Sequence, residues 1–299
     1  MARRRWGPGR MSHLFCFGLG YSASVLAARL GAQGWTISGT SRDVGGVAAL
    51  SARGFRGMLF DGTSASGLIA DELQRATHVL LSIPPDASGD PALRWHGDDM
   101  AASLSLHWIG YFSTVGVYGD SAGAWVDEDT EARPGSERGQ RRLDAERAWL
   151  SLGEDSRKAA VMFRLPGIYG PGRSTIDDVK AGTARRLIKP GQVFNRIHVD
   201  DIASAVQASM GRSTTNRIYN VTDDLPSPPQ DVVAYAAQLL GAPIPPDIEF
   251  ATAAVSAMGR SFYSESKRVS NARMKRELGV TLAYPSYREG LRAIVDAGG

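Results

Sequence analysis

The residues whose types and spacing bear most directly on chemistry are Gly18, Gly20 and Ala23, set as Gly-x-Gly-x-x-Ala. An apolar run at residues 14–17 reads as a buried strand leading into this turn, and Val25, Leu26 and Leu30 follow it with helical spacing. Strand, glycine turn and helix in that order make a cradle for a dinucleotide pyrophosphate. The first glycine allows a tight turn, the second lets a phosphate approach the backbone, and a small third residue lets the helix pack on the strand. The contacts expected along this turn are Gly18, Gly20, Tyr21, Ser22 and Ala23, with the positive end of the helix facing the anion.

The second strand of such a unit selects the nucleotide. An acid at its end accepts hydrogen bonds from a ribose 2′-hydroxyl, whereas an arginine accommodates a 2′-phosphate. Here the strand runs into Thr40-Ser41-Arg42, with Asp43 one position late. Arg42 offers a fork of donors suited to phosphate, and Ser41 adds a hydroxyl. The pattern favours NADP over NAD. Asp61, closing the third strand, reads either as an acceptor for the adenine amino group or as an exposed turn aspartate.

The elements that must hold these groups alternate regularly. Strands are expected at residues 14–17, 35–42, 57–60, 77–83, 108–113 and 160–165, with Ala-, Leu- and Arg-rich helical segments between most of them. This alternation predicts an α/β fold, a doubly wound parallel sheet of the Rossmann type. Beyond about residue 170 the rhythm breaks into loops, prolines and short elements, read as a smaller C-terminal substrate lobe. The expected division is a disordered basic extension at 1–10, a nucleotide-binding domain at 11–170 and a substrate lobe at 171–299, with 196–225 returning to the first domain.

Composition excludes several classes. With 43% hydrophobic and 22% charged residues in 299, the chain has the make-up of an ordinary globular protein, and no apolar run is long enough to span a membrane. Its net charge of +3 comes from four arginines in the first ten residues, so the remainder is slightly acidic and gives no reason to expect a nucleic-acid partner. The single cysteine, Cys16, rules out internal disulfides and suits a cytoplasmic location. The five histidines show no metal-ligand spacing, and no Gly-x-Ser-x-Gly hydrolase elbow is present. The expected partner is a small-molecule substrate, and the expected state a monomer or homodimer.

Six segments, in order, resemble the short-chain dehydrogenase/reductase superfamily in its extended, epimerase/dehydratase-like branch. They are the glycine turn at 18–23, FSTVGVYG at 112–119, WVDEDT at 125–130, RLPGIYGPGR at 164–173, RIHVDDI at 196–202 and IYNV at 218–221. The resemblance implies an NAD(P)-binding domain with a substrate lobe, acting on nucleotide-linked sugars or other small hydroxyl and carbonyl compounds. It implies Ser113 or Thr114 as binder of the reacting oxygen. It also carries Ser82, Ile83, Pro84, Leu165 and Gly167 over to the cofactor site, and Tyr169, Arg173 and His198 to the substrate side.

One departure bears on mechanism. The family's Tyr-x-x-x-Lys pair aligns with Arg138 and Arg142, no tyrosine lies between Tyr118 and Tyr169, and Lys158 is the first lysine in the chain. The chain has five lysines against 29 arginines, so arginine at 142 can preserve a cofactor ribose contact. Arginine stays protonated and cannot act as a neutral-pH acid or base. Arg138 and Arg142, four apart, share a helix face and suit an anionic group. They are weighed against a solvated stripe with Arg141. Tyr118 is the remaining proton carrier, although the resemblance makes it a pocket residue. His198, between Ile197 and Val199, reads as a hydrogen-bonded structural residue. The expected function is an NAD(P)-dependent oxidoreductase or epimerase of a small polar substrate. The alternative is an inactive NADP-binding sensor or scaffold.

Overall fold

A computed structural model describes residues 12–211 and 216–298, so the basic extension expected at 1–10 lies outside the described residues. The main sheet has seven strands: β1 (His13–Phe17), β2 (Thr36–Ser41), β3 (Arg56–Leu59), β4 (His78–Leu81), β5 (Trp108–Thr114), β6 (Ala159–Leu165) and β7 (Arg217–Asn220). Their spatial order is β7-β6-β5-β4-β1-β2-β3. Leu14 pairs in parallel with Ile37 on one side and His78 on the other, so the order reverses at β1. Ligands of such sheets bind beyond the strand carboxyl ends at that reversal.

All five residues of β1 are buried, as are all four of β4, which is why both read as continuous apolar runs rather than alternating ones. Helices α1 (Tyr21–Gly31), α2 (Val44–Ala52), α3 (Gly67–Leu73), α4 (Pro91–Ala102), α5 (Glu137–Asp155) and α6 (Val199–Met210) follow successive strands or loops. In α1 the buried set Ser22, Ala23, Leu26, Ala27 and Leu30 recurs every fourth residue and presents small side chains to the sheet. Helix α4 starts where Asp90 accepts a hydrogen bond from the Leu93 N–H at 3.1 Å and Pro91 fills the first turn.

The chain divides into two compact units that interleave in sequence. The first comprises residues up to Ser113, Arg141–Phe163 and Ala203–Tyr219. Its core gathers Phe15, Phe17, Leu81, Ile109, Tyr111, Trp149 and Met162. The second comprises Thr114–Gln140, Arg164–Ile202 and Asn220 onward. Its core packs Tyr169 and Ile176 with Val232, Ala236, Tyr287, Leu291 and Ile294. The last helix of this unit, Tyr287–Asp296, is started by a reciprocal cap between Ser286 and Glu289. The units change hands in mid-element, within β6 and α5.

Candidate functional site

The glycine turn of the first unit is built to leave its backbone bare. Gly18 has φ +83°, and a Cβ there would lie 2.7 Å from Ile83 Cγ2, so both conformation and space demand glycine. The Gly18 N–H donates to Thr40 Oγ1 at 2.9 Å and the Leu19 N–H to Thr40 O at 3.2 Å, which ties the turn to the end of β2. Gly20 caps α1 without any side-chain bond, and a Cβ on it would meet nothing within 4 Å. Tyr21, Ser22 and Ala23 form the first turn, whose amides have no intrahelical acceptors of their own. The backbone at Gly20 is therefore open to solvent.

At the end of β2, Ser41 is half-buried and Arg42 exposed. Asp43 is engaged by the backbone, since its carboxylate accepts from the Gly46 N–H at 2.7 Å and caps α2. Asp61 accepts from the N–H (2.9 Å) and hydroxyl (2.7 Å) of Thr63 through Oδ1 alone. Those bonds hold its carboxyl below the usual carboxylate range. Ser82 and Ile83 are half-buried and Pro84 exposed where the chain leaves β4. Cys16 is buried in β1, and desolvation pushes its thiol up, away from nucleophilic reactivity.

At the end of β5 the side chains are engaged with one another. Ser113 is buried, and its hydroxyl donates to Glu146 Oε1 at 2.5 Å; Glu146 is 1% exposed. The Arg142 guanidinium donates to Phe112 O at 2.6 Å and to the Tyr111 hydroxyl at 3.2 Å, with its carbon 5.6 Å from the Tyr111 ring. It is therefore directed at the backbone of β5. Arg138, one turn earlier on α5, is exposed.

The second unit holds the other candidates. Thr114 Oγ1 accepts from the Gly116 N–H at 3.1 Å and caps the 3-10 turn Val115–Tyr118. The Tyr118 hydroxyl donates to Asn220 Oδ1 at 2.8 Å, and the Arg164 guanidinium lies 4.8 Å from its ring centroid. Burial pushes the phenol up to about 12, although Arg164 pulls the other way. Asn220 is fixed in turn, donating its N–H to Glu128 Oε1 at 2.8 Å and its amide to Ser270 O at 3.2 Å. This geometry makes Tyr118 a buried post with its donor already committed.

Leu165 is buried at the end of β6, and exposed Gly167 opens the short strand Gly167–Tyr169, which pairs in parallel with Arg196–His198. The Tyr169 hydroxyl donates to Ser286 O at 3.2 Å, and its ring meets His198 edge-on at 5.2 Å. His198 is buried between the Tyr169 and Tyr284 rings and accepts from the Asp200 N–H at Nδ1. Burial lowers its pKa and Asp200 opposes that. Arg173 is exposed at the end of a tight turn closed by paired bonds with Gly170. Of the residues that organise these candidates, Arg164, Asn220 and Glu128 lie inside the recognised segments, but their partners are not readable there. Asp86, Arg94 and Trp95 carry no sequence signal at all.

Among the described residues no helix is long and apolar enough to cross a membrane, and no group of three or more His, Cys, Asp or Glu residues could hold a metal ion. No family model matches the chain. It is similar to a functionally unknown conserved protein from Silicibacter pomeroyi DSS, with 48% identity and a TM-score of 0.88 over 96% of this chain and 99% of that one. It is also similar to a proposed NAD-dependent epimerase/dehydratase from Methylobacillus flagellatus, with 25% identity and a TM-score of 0.72 over 97% and 99%. A 3-diazoavenalumate denitrifying reductase from a Streptomyces species is 31% identical over 144 residues, 44% of this chain and 46% of the reductase.

Proposed function

We propose a hydride-transfer function from one premise: the chain belongs to the short-chain dehydrogenase/reductase superfamily, in its epimerase/dehydratase-like branch. It binds a nicotinamide dinucleotide, NADP in preference to NAD, and oxidises, reduces or epimerises a small polar substrate. The observation that carries this reading is the bare cradle. Gly18 is forced by its own surroundings, and the exposed backbone at Gly20 leaves room for a phosphate beside the first turn of α1. The residues present fit the group: first-turn amides of α1 for the pyrophosphate, Asp61 Oδ2 for the adenine amine, and Arg42 with Ser41 for a 2′-phosphate. Asp43 caps α2 through Oδ1, accepting from the Gly46 N–H, and stands one position past Arg42.

The bound nucleotide supplies or accepts the hydride. The protein binds, orients and stabilises charge. Exposed Arg138 stays cationic, so it holds an anionic substrate group or steadies negative charge developing on the reacting oxygen, without delivering a proton. Thr114, with its hydroxyl, and exposed Arg173 are the other polar groups that serve substrate recognition.

A second reading, an NADP-binding protein without turnover, is favoured by the engagement of Ser113, Tyr118 and Arg142 with protein partners. Calorimetric titration of NADPH and NADH against wild type and Arg42→Ala tests the cofactor reading. NADPH affinity is expected to fall about 10-fold or more in the variant, with NADH within about twofold. Failure of wild type to bind either nucleotide overturns both readings. Turnover of bound NADPH with a panel of sugar-nucleotide, hydroxy-acid and carbonyl substrates then separates enzyme from sensor.

A further inference from the structure

The loops leaving β3 and β4 start from strands that are not neighbours, because β2 and β1 lie between them in the sheet. They are nevertheless tied together by consecutive side chains of α4. Arg94 Nη2 donates to Gly62 O at 3.2 Å, and Trp95 Nε1 donates to the same carbonyl at 2.8 Å. The next residue, His96, accepts from the Ser66 N–H through Nε2 at 3.4 Å, while its Nδ1 lies 2.7 Å from Asp99 Oδ2. The same Arg94 guanidinium grips Asp86 in the β4 loop at both oxygens, 3.2 and 2.8 Å. Asp86 is itself fixed within its turn, accepting from the Ser88 N–H at 2.7 Å and closing on Gly89. One planar fork therefore holds the β3 loop with one edge and the β4 loop with both donors.

Gly62 is shaped for this contact. Its φ of +86° turns the peptide into a conformation that other residues resist, and a Cβ would lie 3.1 Å from Pro91 Cβ. Asp61 precedes it directly and engages Thr63 only through Oδ1, so Oδ2 takes part in no hydrogen bond among the described residues. Ile83, three residues before Asp86, is the side chain packed against Gly18. The clamp thus fixes two chain segments that lead directly to the adenine acceptor and to the wall of the phosphate turn. An isolated exposed ion pair contributes little. This one is bidentate and shares its cation with a backbone carbonyl, which sets geometry as well as charge.

We propose that Arg94, through Asp86 and Gly62, is the positioning residue for the adenine half of the nucleotide. The inference rests on the dinucleotide reading above. The test is calorimetric titration of NADPH and of 2′,5′-ADP, the adenine half alone, against wild type, Arg94→Ala, Arg94→Lys, Asp86→Ala and the Arg94→Ala/Asp86→Ala double variant. Arg94→Ala is expected to weaken both ligands by about the same factor, roughly 10-fold, with a melting temperature within about 2 °C of wild type. Lysine keeps the charge but not the fork, so it recovers less than half of that loss on a logarithmic scale. Asp86→Ala alone weakens binding, and adding it to Arg94→Ala changes the affinity by less than about twofold, as for partners in one contact. Unchanged 2′,5′-ADP affinity in Arg94→Ala, full rescue by lysine, or additive losses overturn the proposal while leaving the dinucleotide reading intact. Wild type that binds neither of these ligands nor NADH overturns the dinucleotide reading and this inference with it.

Discussion

The phosphate turn and the end of β5 are both strand-to-helix junctions in the same sheet, and they use their polar groups in opposite ways. At the turn, Gly20 leaves 4 Å of space around its missing side chain and Arg42 stands exposed. At β5, Ser113 is bonded to buried Glu146, and Arg142 is bonded to Phe112 O and the Tyr111 hydroxyl. A junction with bare backbone leaves room for a ligand. A junction whose hydroxyl and guanidinium are satisfied internally is built first for its own stability.

The sharpest way to break that contrast is at the turn. Gly20→Val puts a side chain where no protein atom lies within 4 Å, so folding is expected to survive and NADPH affinity to drop roughly 100-fold, about 2.7 kcal/mol. Gly18→Ala meets Ile83 Cγ2 at 2.7 Å and a positive φ, so it is expected to cost about 1–3 kcal/mol of stability in urea unfolding. If both variants lose the same stability, Gly20 is a structural glycine and the contrast fails.

At β5 the expected effects are on folding. Ser113→Ala removes a hydrogen bond to a carboxylate that is 1% exposed, and loss of a bond to a charged group costs about 1.5–3 kcal/mol. Ser113→Thr keeps the hydroxyl and is expected to lose less. A fall in turnover with unchanged unfolding free energy in Ser113→Ala would move Ser113 into the reacting site and erase the difference between the two junctions.

How much of this is legible in the sequence follows from the same contrast. The turn is written in three local positions, and β1 announces itself because both its faces are buried. Six of the seven strands of the sheet are expected from the sequence, including Arg56–Leu59, none of whose residues is buried. The seventh, Arg217–Asn220, has an exposed first residue and two buried last ones, too short a pattern to stand alone, and only the family-like segment at 218–221 marks it. Helical spacing puts Arg138 and Arg142 on one face, yet a long side chain chooses its partner by tertiary contact. Nothing in residues 137–146 announces that Arg142 turns to the Phe112 carbonyl. Asp43 reads as a competitor for ribose because its capping role depends on where α2 begins, and the two glycines at 45 and 46 weaken that signal. The Asp86–Arg94–Gly62 clamp joins three segments and has no local signature.

Tyr118 is where the contrast can be refined most finely. Its hydroxyl donates to Asn220, its ring lies under Arg164, and burial pushes its pKa up to about 12. A base working near neutral pH needs a phenol shifted downward, and one whose proton is not already given to a fixed amide. Tyr118→Phe removes the hydroxyl's bonds to Asn220 and to the Arg164 guanidinium while keeping the ring under Arg164, so the expected cost is about 1–3 kcal/mol of stability. Asn220 retains its bonds to Glu128 and Ser270, which limits the loss to that range. NADPH affinity is expected to stay within about twofold, as for a ligand whose contacts are untouched. Where a substrate is turned over, kcat in Tyr118→Phe should also hold within a small factor, since loss of a general acid or base costs roughly 100- to 10,000-fold. A loss of that size, with a pH profile that flattens above neutrality, would restore Tyr118 as the proton carrier. It would also mean that the buried phenol opens to substrate during the cycle, so that this engagement holds only in the resting protein.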